Sequence, residues 1–559
     1  MGKFNTKNEG VKPTETNFMG ENAFEMEAKD NLVSTVMTTF LNDSYYEKEK
    51  PIVYRICSNI DDVDPLFAAK LAIYARNKGN MRSVTHLIAA YIAKYVSGKD
   101  WAKRFYNKIV VRPDDMTEIL SAYAKLNGMD LKKVKKIPNA IKKGFKASLE
   151  SLSPYQIDKY KMNNRAIKLV DLVRLFHPKG NEINSVAYEK LIRGESLDGL
   201  YDAKILEKEL TKAGQSTKEF AEEDKLSAKR EAITNVLTNV SGMPIMNLLR
   251  NLRNILLYAP NMVEEACKQL TIENKILNSR LLPFRFATAY SEIEKMAFSL
   301  EEANLSDDIQ FESDVEKQIS SKEEFNVKKE QILNAIEAAL EISCSNIPTL
   351  EGNTAILIDD SGSMRGSSYG GGTSRVSAFS NTNNSKIAHL FASMVAFKQK
   401  DVYIGMFGDK LIQVPMKRDM KLLDYSEWSY NEGELCGGAT EAGIYEFMRK
   451  AVDMKKKIDN VIVFSDCQIG NGRGFTSWYG MDSADRSDNF HELFKEFRKI
   501  NPNANFIVCN LKQYGKTSVF DKSQRILNIA GWSDKIFDVI TSGTKGFEAM
   551  IKEIEAIEI

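Results

Sequence analysis

Two hydrophobic rhythms divide the chain. From Asn31 to about Ile347 apolar positions recur at helical spacing. Val84, Leu87, Ile88, Tyr91, Ile92 and Tyr95 fall at i, i+3, i+4, i+7, i+8 and i+11, one continuous apolar face. Pro51, Pro65, Pro113, Pro138, Pro154, Pro178, Pro244, Pro260 and Pro283 fall mostly between such segments, where a residue lacking an amide hydrogen opens or ends a helix. Amphipathic helices joined by short turns, with no strand alternation, predict paired helices stacked as a repeat array, although no repeat of fixed period is present. Residues 1–22 are polar and rich in Gly, Asn and Lys, and read as an arm.

After Pro348 the rhythm changes. Short β-branched runs (AILID, DVYIGMF, NVIVFSD, ANFIVCNL) alternate with helical stretches at Lys386–Phe397, Glu441–Met454, Phe490–Ile500 and Lys545–Ile557. Buried strands alternating with helices predict a parallel sheet covered on both faces, a doubly wound α/β domain that binds ligands at the carboxyl ends of its strands. The expected organisation is therefore an arm over 1–22, an all-α helical-repeat region over 23–347 and an α/β domain over 348–559. The Gly/Ser/Asn-rich stretch Arg365–Ser385 reads as a loop beside the ligand-binding edge.

Composition narrows the class. The 559 residues suit two or three domains, and a hydrophobic fraction of 43% excludes wholesale disorder. No run of about 18 apolar residues occurs and the first residues lack an apolar signal segment, so no membrane association is expected. Cysteines stand at 57, 267, 344, 436, 467 and 509, without a pairing rhythm, as reduced thiols of a cytoplasmic protein would. Net charge is only +1, but residues 125–179 carry 14 Lys and Arg against 4 Asp and Glu, a local excess of +10. Such an excess suits phosphate contacts, or a set of solvated helix faces whose charges scatter in space.

The sharpest chemical signal is TAILIDDSGSM (354–364), an apolar strand running into Asp359, Ser361 and Ser363. One carboxylate and two hydroxyls from one turn are hard oxygen ligands, suited to Mg²⁺ rather than zinc or copper. Cys436-Gly437-Gly438-Ala439-Thr440 supplies a further hydroxyl, and the strand VIVFSD ends in Asp466. Asp359, Ser361, Ser363, Thr440 and Asp466 together resemble the metal-ion-dependent adhesion site of von Willebrand factor A domains. The resemblance implies one Mg²⁺ and an open position for an acidic protein ligand. The competing reading makes Ser361, Ser363 and Asp466 helix caps. Asp360 departs from the pattern, which places an apolar or small residue there; it either adds charge at the metal or faces solvent.

In the helical half, LVSTVMTTFLNDSYYE (32–47), FAAKLAIYARNKGNMRSVTHLIAAYI (67–92), IPNAIKKGFKASLESLSPYQIDKY (137–160), VDLVRLFHPK (170–179), GMPIMNLLRNLRN (242–254) and LPFRFATAY (282–290) resemble the TROVE module of the Ro autoantigen family. The resemblance implies HEAT-like helices closed into a ring by the von Willebrand domain. It also implies binding of small noncoding Y-type RNA outside the ring and of single-stranded ends of misfolded RNA in its hole, with an exoribonuclease such as polynucleotide phosphorylase as partner. A ring closed by one chain implies a monomer. The residues expected to meet RNA are Lys132, Lys133, Lys135, Lys136, Lys142, Lys143 and Lys146, then Lys159, Lys168, Arg174, His177 and Lys179. Arg174 and His177 lie about one helical turn apart, and His177 beside Pro178 reads alternatively as a helix-end cap. The tail Phe547–Ile559 sets Phe547, Ile551, Ile554 and Ile557 on one face, ready to dock.

The leading reading is a non-catalytic RNA-binding protein. Its rivals are a Mg²⁺-dependent protein-interaction scaffold and, more remotely, a metal-dependent nuclease. A two-metal nuclease needs clustered carboxylates, and the four histidines (86, 177, 389, 491) include no pair at ligand spacing. His86 and His389, among apolar neighbours, read as core or interface.

Overall fold

A computed structural model of the chain describes residues 15–16, 22–25, 27–38, 50–79, 81–202, 240–279, 281, 283–297, 322–347, 349–366, 383–437, 443–466, 490–511, 517–518, 526–530 and 547–559, with scattered positions between 205 and 237. Two compact units emerge: Met1–Asp202 with Pro348–Met420 and Asp424–Ile559, and Ala203–Ile347 with Lys421–Leu423. The change of rhythm at 348 marks the change from helices to sheet. The compact units divide differently, because the first 202 residues group with the α/β sequence.

The helices of the first unit's N-terminal part are α1 Ala28–Thr38, α2 Lys50–Asp61, α3 Pro65–Asn77, α4 Ser83–Tyr91, α5 Ala102–Lys108, α6 Pro113–Leu126, α7 Asn139–Glu150, α8 Pro154–Lys159, α9 Leu169–Phe176 and α10 Glu182–Arg193. Their ends follow local chemistry. The Asp64 side chain accepts from the Leu66 amide and Pro65 opens α3. Ser153 and Gln156 cap one another's backbone at α8. Val84, Leu87, Ile88 and Ile92 are buried as their spacing predicts, but at Ile92 the α-helix tightens into a 3₁₀ turn. Helix α4 packs on α6 and α5 on α7, so partners lie two helices apart, as in stacked helical layers. Gly144 permits the close approach of α5 and α7, since a Cβ there would lie 2.5 Å from the Tyr106 Cβ.

In the second unit α11 Ile245–Tyr258, α12 Val263–Leu270, α13 Glu273–Ser279 and α14 Pro283–Glu294 pack against the long α15 Lys322–Ser343, which buries Phe325, Ile332, Ile336 and Leu340.

The strands are β1 Glu15–Thr16, β2 Asn22–Glu25, β3 Thr354–Asp359, β4 Val402–Phe407, β5 Leu411–Val414, β6 Asn460–Ser465, β7 Asn505–Asn510, β8 Thr517–Ser518 and β9 Ile526–Ala530. The main sheet has the order β5-β4-β3-β6-β7-β9, parallel except for the edge pair β4/β5. Its helices are α16 Gly362–Arg365, α17 Asn384–Lys398, α18 Leu422–Gly433, α19 Gly443–Asp453, α20 Phe490–Ile500 and α21 Phe547–Glu555. Every residue of β3 and β6 is buried, which needs cover on both faces. On one face Ala355, Leu357, Val461 and Val463 join Ile444 and Met448 of α19 and Phe494 and Phe497 of α20. On the other, Phe391 of α17 stacks on Phe464. The chain passes from β3 to β4 on one side and returns to β6 on the other, so the switch point lies at the carboxyl end of β3.

The segment read as an arm takes part in pairing. Strand β2 joins β1 on one side and β8 on the other, in register Phe24↔Ser518 and Glu25↔Thr517. Sheet ladders use backbone groups, so a polar sequence does not forbid them.

The C-terminal helix α21 docks on α1 and α3, burying Met550 and Ile554. Around that interface Lys29 meets Glu555 at 2.5 Å and Lys78 meets Glu553 at 3.0 Å, and Lys108 donates to the Glu558 carbonyl at 2.8 Å. These ion pairs are solvent-exposed, so the apolar packing carries the docking. Ile554→Ala is expected to cost about 2–5 kcal/mol in denaturant unfolding, and Lys78→Ala less than about 1 kcal/mol. Equal costs would mean that the ion pairs hold the tail. No described helix is long and apolar enough to cross a membrane.

Candidate functional site

At the switch point the end of β3 delivers Asp359, and the parallel register Ile358↔Phe464 sets the ends of β3 and β6 side by side. The turn after β3 closes on its own carboxylate: the Ser361 amide donates to Asp359 Oδ1 at 3.0 Å. The Ser465 hydroxyl, from the last residue of β6, donates to Asp359 Oδ2 at 2.5 Å. Ser361 Oγ stands 3.1 Å from Ser363 Oγ. Ser361 occupies the cap position of α16, yet its hydroxyl makes no capping bond. Asp466 follows β6 and is buried with Asp359. Burial first, and the neighbouring Asp466 charge second, raise the Asp359 carboxyl well above the ordinary carboxylate range. Thr440 lies outside the described residues, as do residues 367–382 of the adjoining loop.

This donor set fits a hard divalent cation. Two buried carboxylates, of which Asp466 disfavours the charge of Asp359, with two hydroxyls from the turn after β3, form a site whose charge an oxygen-liganded Mg²⁺ would offset. Among the described residues no group of three or more His, Cys, Asp or Glu could hold a metal, so the remaining ligands of such an ion would be hydroxyls and water. Ser465 escaped the sequence reading. Placing VIVFSD beside AILID in parallel register would have set it against Asp359.

Asp360 does neither of the things expected of it. It is buried and turned into a cluster: Arg365 Nε donates to its Oδ1 at 3.0 Å, Ser385 Oγ donates to the same oxygen at 2.5 Å, and His389 Nε2 meets Oδ2 at 2.8 Å. Burial works against its charge, but His389 and Arg365 outweigh it and hold the carboxyl below its ordinary value. His389, on α17, reaches Ser429 through its other nitrogen at 2.8 Å, a core role as expected. Gly433 makes room for this cluster, since a Cβ would lie 2.0 Å from Asp360 Oδ2.

The basic residues lie on and around α7 and α9. Helix α7 buries Ile141, Phe145, Ser148 and Leu149 and turns Lys142 and Lys143 outward, with Lys146 half-buried. Lys132, Lys133, Lys135 and Lys136 are exposed on the preceding loop, which is pinned by the Lys132 amide on Asp130 (2.9 Å) and the Tyr123 hydroxyl on the Lys136 carbonyl (2.9 Å). Phe145 and Phe176 meet edge to face at 6.0 Å, joining α7 to α9. The Lys179 amide donates to Glu150 Oε1 at 2.9 Å, tying the exit of α9 to the end of α7. Lys159, half-buried on α8, rests its ammonium on the Tyr155 hydroxyl at 3.2 Å, and Lys168 uses its amide to cap α9 through Asp171 at 2.9 Å. Arg174 donates to the Ile192 carbonyl at 3.2 Å. His177 caps α9 in the left-handed region (φ 46), as its helix-end reading expects, and lies exposed at the surface. Among the described residues no acid pairs with the ammonium groups of Lys132, Lys133, Lys135, Lys136, Lys142, Lys143, Lys146, Lys168 or Lys179.

A helical array and a doubly wound domain with an oxygen-lined switch point, carried on one chain, make this a modular protein. The chain belongs to the TROVE domain family, whose model matches residues 29–232 and 222–352, more than half of its length. It is 21% identical to Telomerase protein component 1 of Rattus norvegicus over 44% of this chain and 12% of that protein, and the Mus musculus protein of the same name matches to the same extent. The chain thus spans only 12% of the length of these relatives. Among solved structures, the crystal structure of the Deinococcus radiodurans RO (RSR) protein aligns with a TM-score of 0.56 at 12% identity, covering 92% of this chain and 100% of that one. At that identity the likeness is one of fold.

Proposed function

We propose that this chain is a non-catalytic, Ro-like RNA-binding protein. The observation that carries the reading is the set of unpaired, outward lysines on α7 and its preceding loop, inside the TROVE-matched region. Lysines without acidic partners neutralise phosphates with little sequence preference, so they would hold a small structured RNA of the Y type by its backbone. The reading includes helices closed into a ring whose hole admits single-stranded but not duplex ends, which selects misfolded RNA by shape. An exoribonuclease acting on such ends is the partner it expects.

Its test is the binding of a small hairpin RNA, with and without a 3′ single-stranded tail, across a salt series. A steep salt slope with preference for the tail is expected. Absence of binding at physiological salt would overturn the reading and leave the metal-dependent scaffold in its place.

The reading assigns one Mg²⁺ to Asp359, Ser361, Ser363 and Asp466, with Thr440 as a further ligand and water completing the shell. The ion would supply an open position for a carboxylate of an acidic protein partner. Calorimetric titration with Mg²⁺ is expected to show binding that Asp359→Ala abolishes. Ser465→Ala, which removes the hydrogen bond to Asp359 Oδ2, should weaken binding about 10–100-fold. RNA affinity is expected to stay nearly unchanged in both. A large loss of RNA binding in folded Asp359→Ala would contradict a division of labour between the two sites.

A further inference from the structure

A cleft of about 410 Å³ opens between α2, α4 and the end of α6, bordered by Val53, Tyr54, Asp61, Tyr91, Lys125 and Leu126. Its size falls within the roughly 300–1,000 Å³ usual for small-ligand sites, and neither the metal site nor the lysine surface uses it. Three features give it a chemistry.

The first is an aromatic rim. Tyr54 leaves 76% of its surface in solvent, so its ring is accessible for stacking. The second is a fixed carboxylate. Asp61 accepts from the Tyr91 hydroxyl at 2.6 Å and the Tyr95 hydroxyl at 2.5 Å, and Lys94 approaches it at 3.1 Å. Lys94 also sits 3.7 Å over the Tyr91 ring, so ring and carboxylate are held together. The Asp61 side chain nonetheless remains 39% exposed and can be reached. Burial works to raise its pKa, but the bonds from Tyr91, Tyr95 and Lys94 together outweigh it and hold the carboxyl below its ordinary value, so it stays ionised. The third is a cation at the mouth. Lys125 ends α6 where the basic stretch 125–179 begins, so the cleft adjoins the lysine loop. The Cys57 thiol in the wall is pushed by burial to about 12 and brings no reactivity.

A flat face to stack on, an acceptor at the edge and a cation beside them match one nucleotide of a single strand. Single-stranded RNA is read by splaying a base onto an aromatic ring and bonding its Watson–Crick edge. A carboxylate only accepts, so it favours an edge with adjacent donors, and guanine offers two, its ring N–H and its amino group.

We propose that this cleft receives one unstacked base of single-stranded RNA, a guanine by preference, with Tyr54 on its face, Asp61 at its edge and Lys125 near its phosphate. The proposal rests on the RNA-binding reading and names a subsite for the single-stranded portion. The experiment uses the full chain and three RNAs: a blunt hairpin, the hairpin with an all-adenine tail, and the hairpin with one guanine in that tail. The parent is expected to bind the guanine tail most tightly. Tyr54→Ala should weaken both tailed RNAs by roughly 5- to 150-fold, the range of one base–aromatic stack, with the blunt hairpin unaffected and Tyr54→Phe restoring binding. Asp61→Asn should erase the guanine preference and keep the affinity for the adenine tail. Tailed RNA bound equally by parent and Tyr54→Ala overturns the subsite while leaving the RNA reading intact. No binding of any of the three RNAs by the parent overturns both.

Discussion

Asp115→Ala is expected to destabilise the chain by about 3–5 kcal/mol, the cost of breaking a buried ion pair from one side. Asp115 is fully buried on α6, and three elements converge on it. Arg76 of α3 donates through Nη2 at 2.9 Å, His86 of α4 meets Oδ1 at 2.8 Å, and the amides of Val111 and Arg112 donate to Oδ2 at 3.0 and 2.8 Å. Removing the carboxylate leaves the Arg76 guanidinium, itself 5% exposed, without its counter-charge in the core. It also uncaps α6. Chemical denaturation of Asp115→Ala beside the parent reads the effect, and a loss under about 1 kcal/mol would mean that water replaces the carboxylate.

The same group makes stability depend on pH. Burial alone would raise its pKa, but His86, Arg76 and the Arg112 amide together depress it far below the ordinary 3.8. The unfolded chain therefore binds this proton at a higher pH than the folded chain. The stabilisation is complete above the ordinary value and is lost as pH falls toward the depressed one. Asp115→Asn, neutral throughout, should flatten the stability profile below about pH 4.

The legible parts of the fold are those where side chains dictate structure. β3, β4, β6 and β7 were readable because central parallel strands are buried on both faces and must be written in β-branched residues. The edge strand β5 (LIQV) and the outer strand β9 (ILNIA) are short and lie at the margins of the sheet, and β1, β2 and β8 are pieces of two to four residues, too short to carry a pattern. The candidate site divides the same way. Asp359, Ser361 and Ser363 lie within five residues and announce themselves, whereas Ser465 depends on the register between strands far apart in sequence. Asp360 was misplaced because its partners Arg365, Ser385 and His389 come from two different helices. Local sequence cannot say which side of a turn a carboxylate faces. His86, which reads from its apolar neighbours as core or interface, is buried as one arm of the Asp115 junction.

Replacing Lys142 and Lys143 with Glu is expected to weaken RNA binding at least about tenfold at physiological salt, for structured and tailed RNA alike. Both ammonium groups project from the solvent side of α7, whose other side is core, so the change should leave the helix folded. The exit of α9, with His177 and Lys179, is tied to Glu150 at the far end of α7, about 12 Å from Lys142 at the helical rise of about 1.5 Å per residue. A strand crossing both groups would meet several phosphate positions. Each phosphate that is no longer neutralised lowers the log–log salt slope by about 0.7 on a single strand and about 0.9 on a duplex. Without the two lysines the slope should therefore fall by about 1.4 for a tail and about 1.8 for a hairpin stem. His177→Ala should behave differently. Its ring can stack or hydrogen-bond, so it is expected to shift the ranking of RNAs more than the slope. The left-handed backbone at 177 makes Gly the better control for the cap, and His177→Gly should match the parent in stability. Binding isotherms across a salt series separate these outcomes. A folded double variant that binds both RNAs as tightly as the parent at every salt concentration would place the RNA elsewhere on the protein.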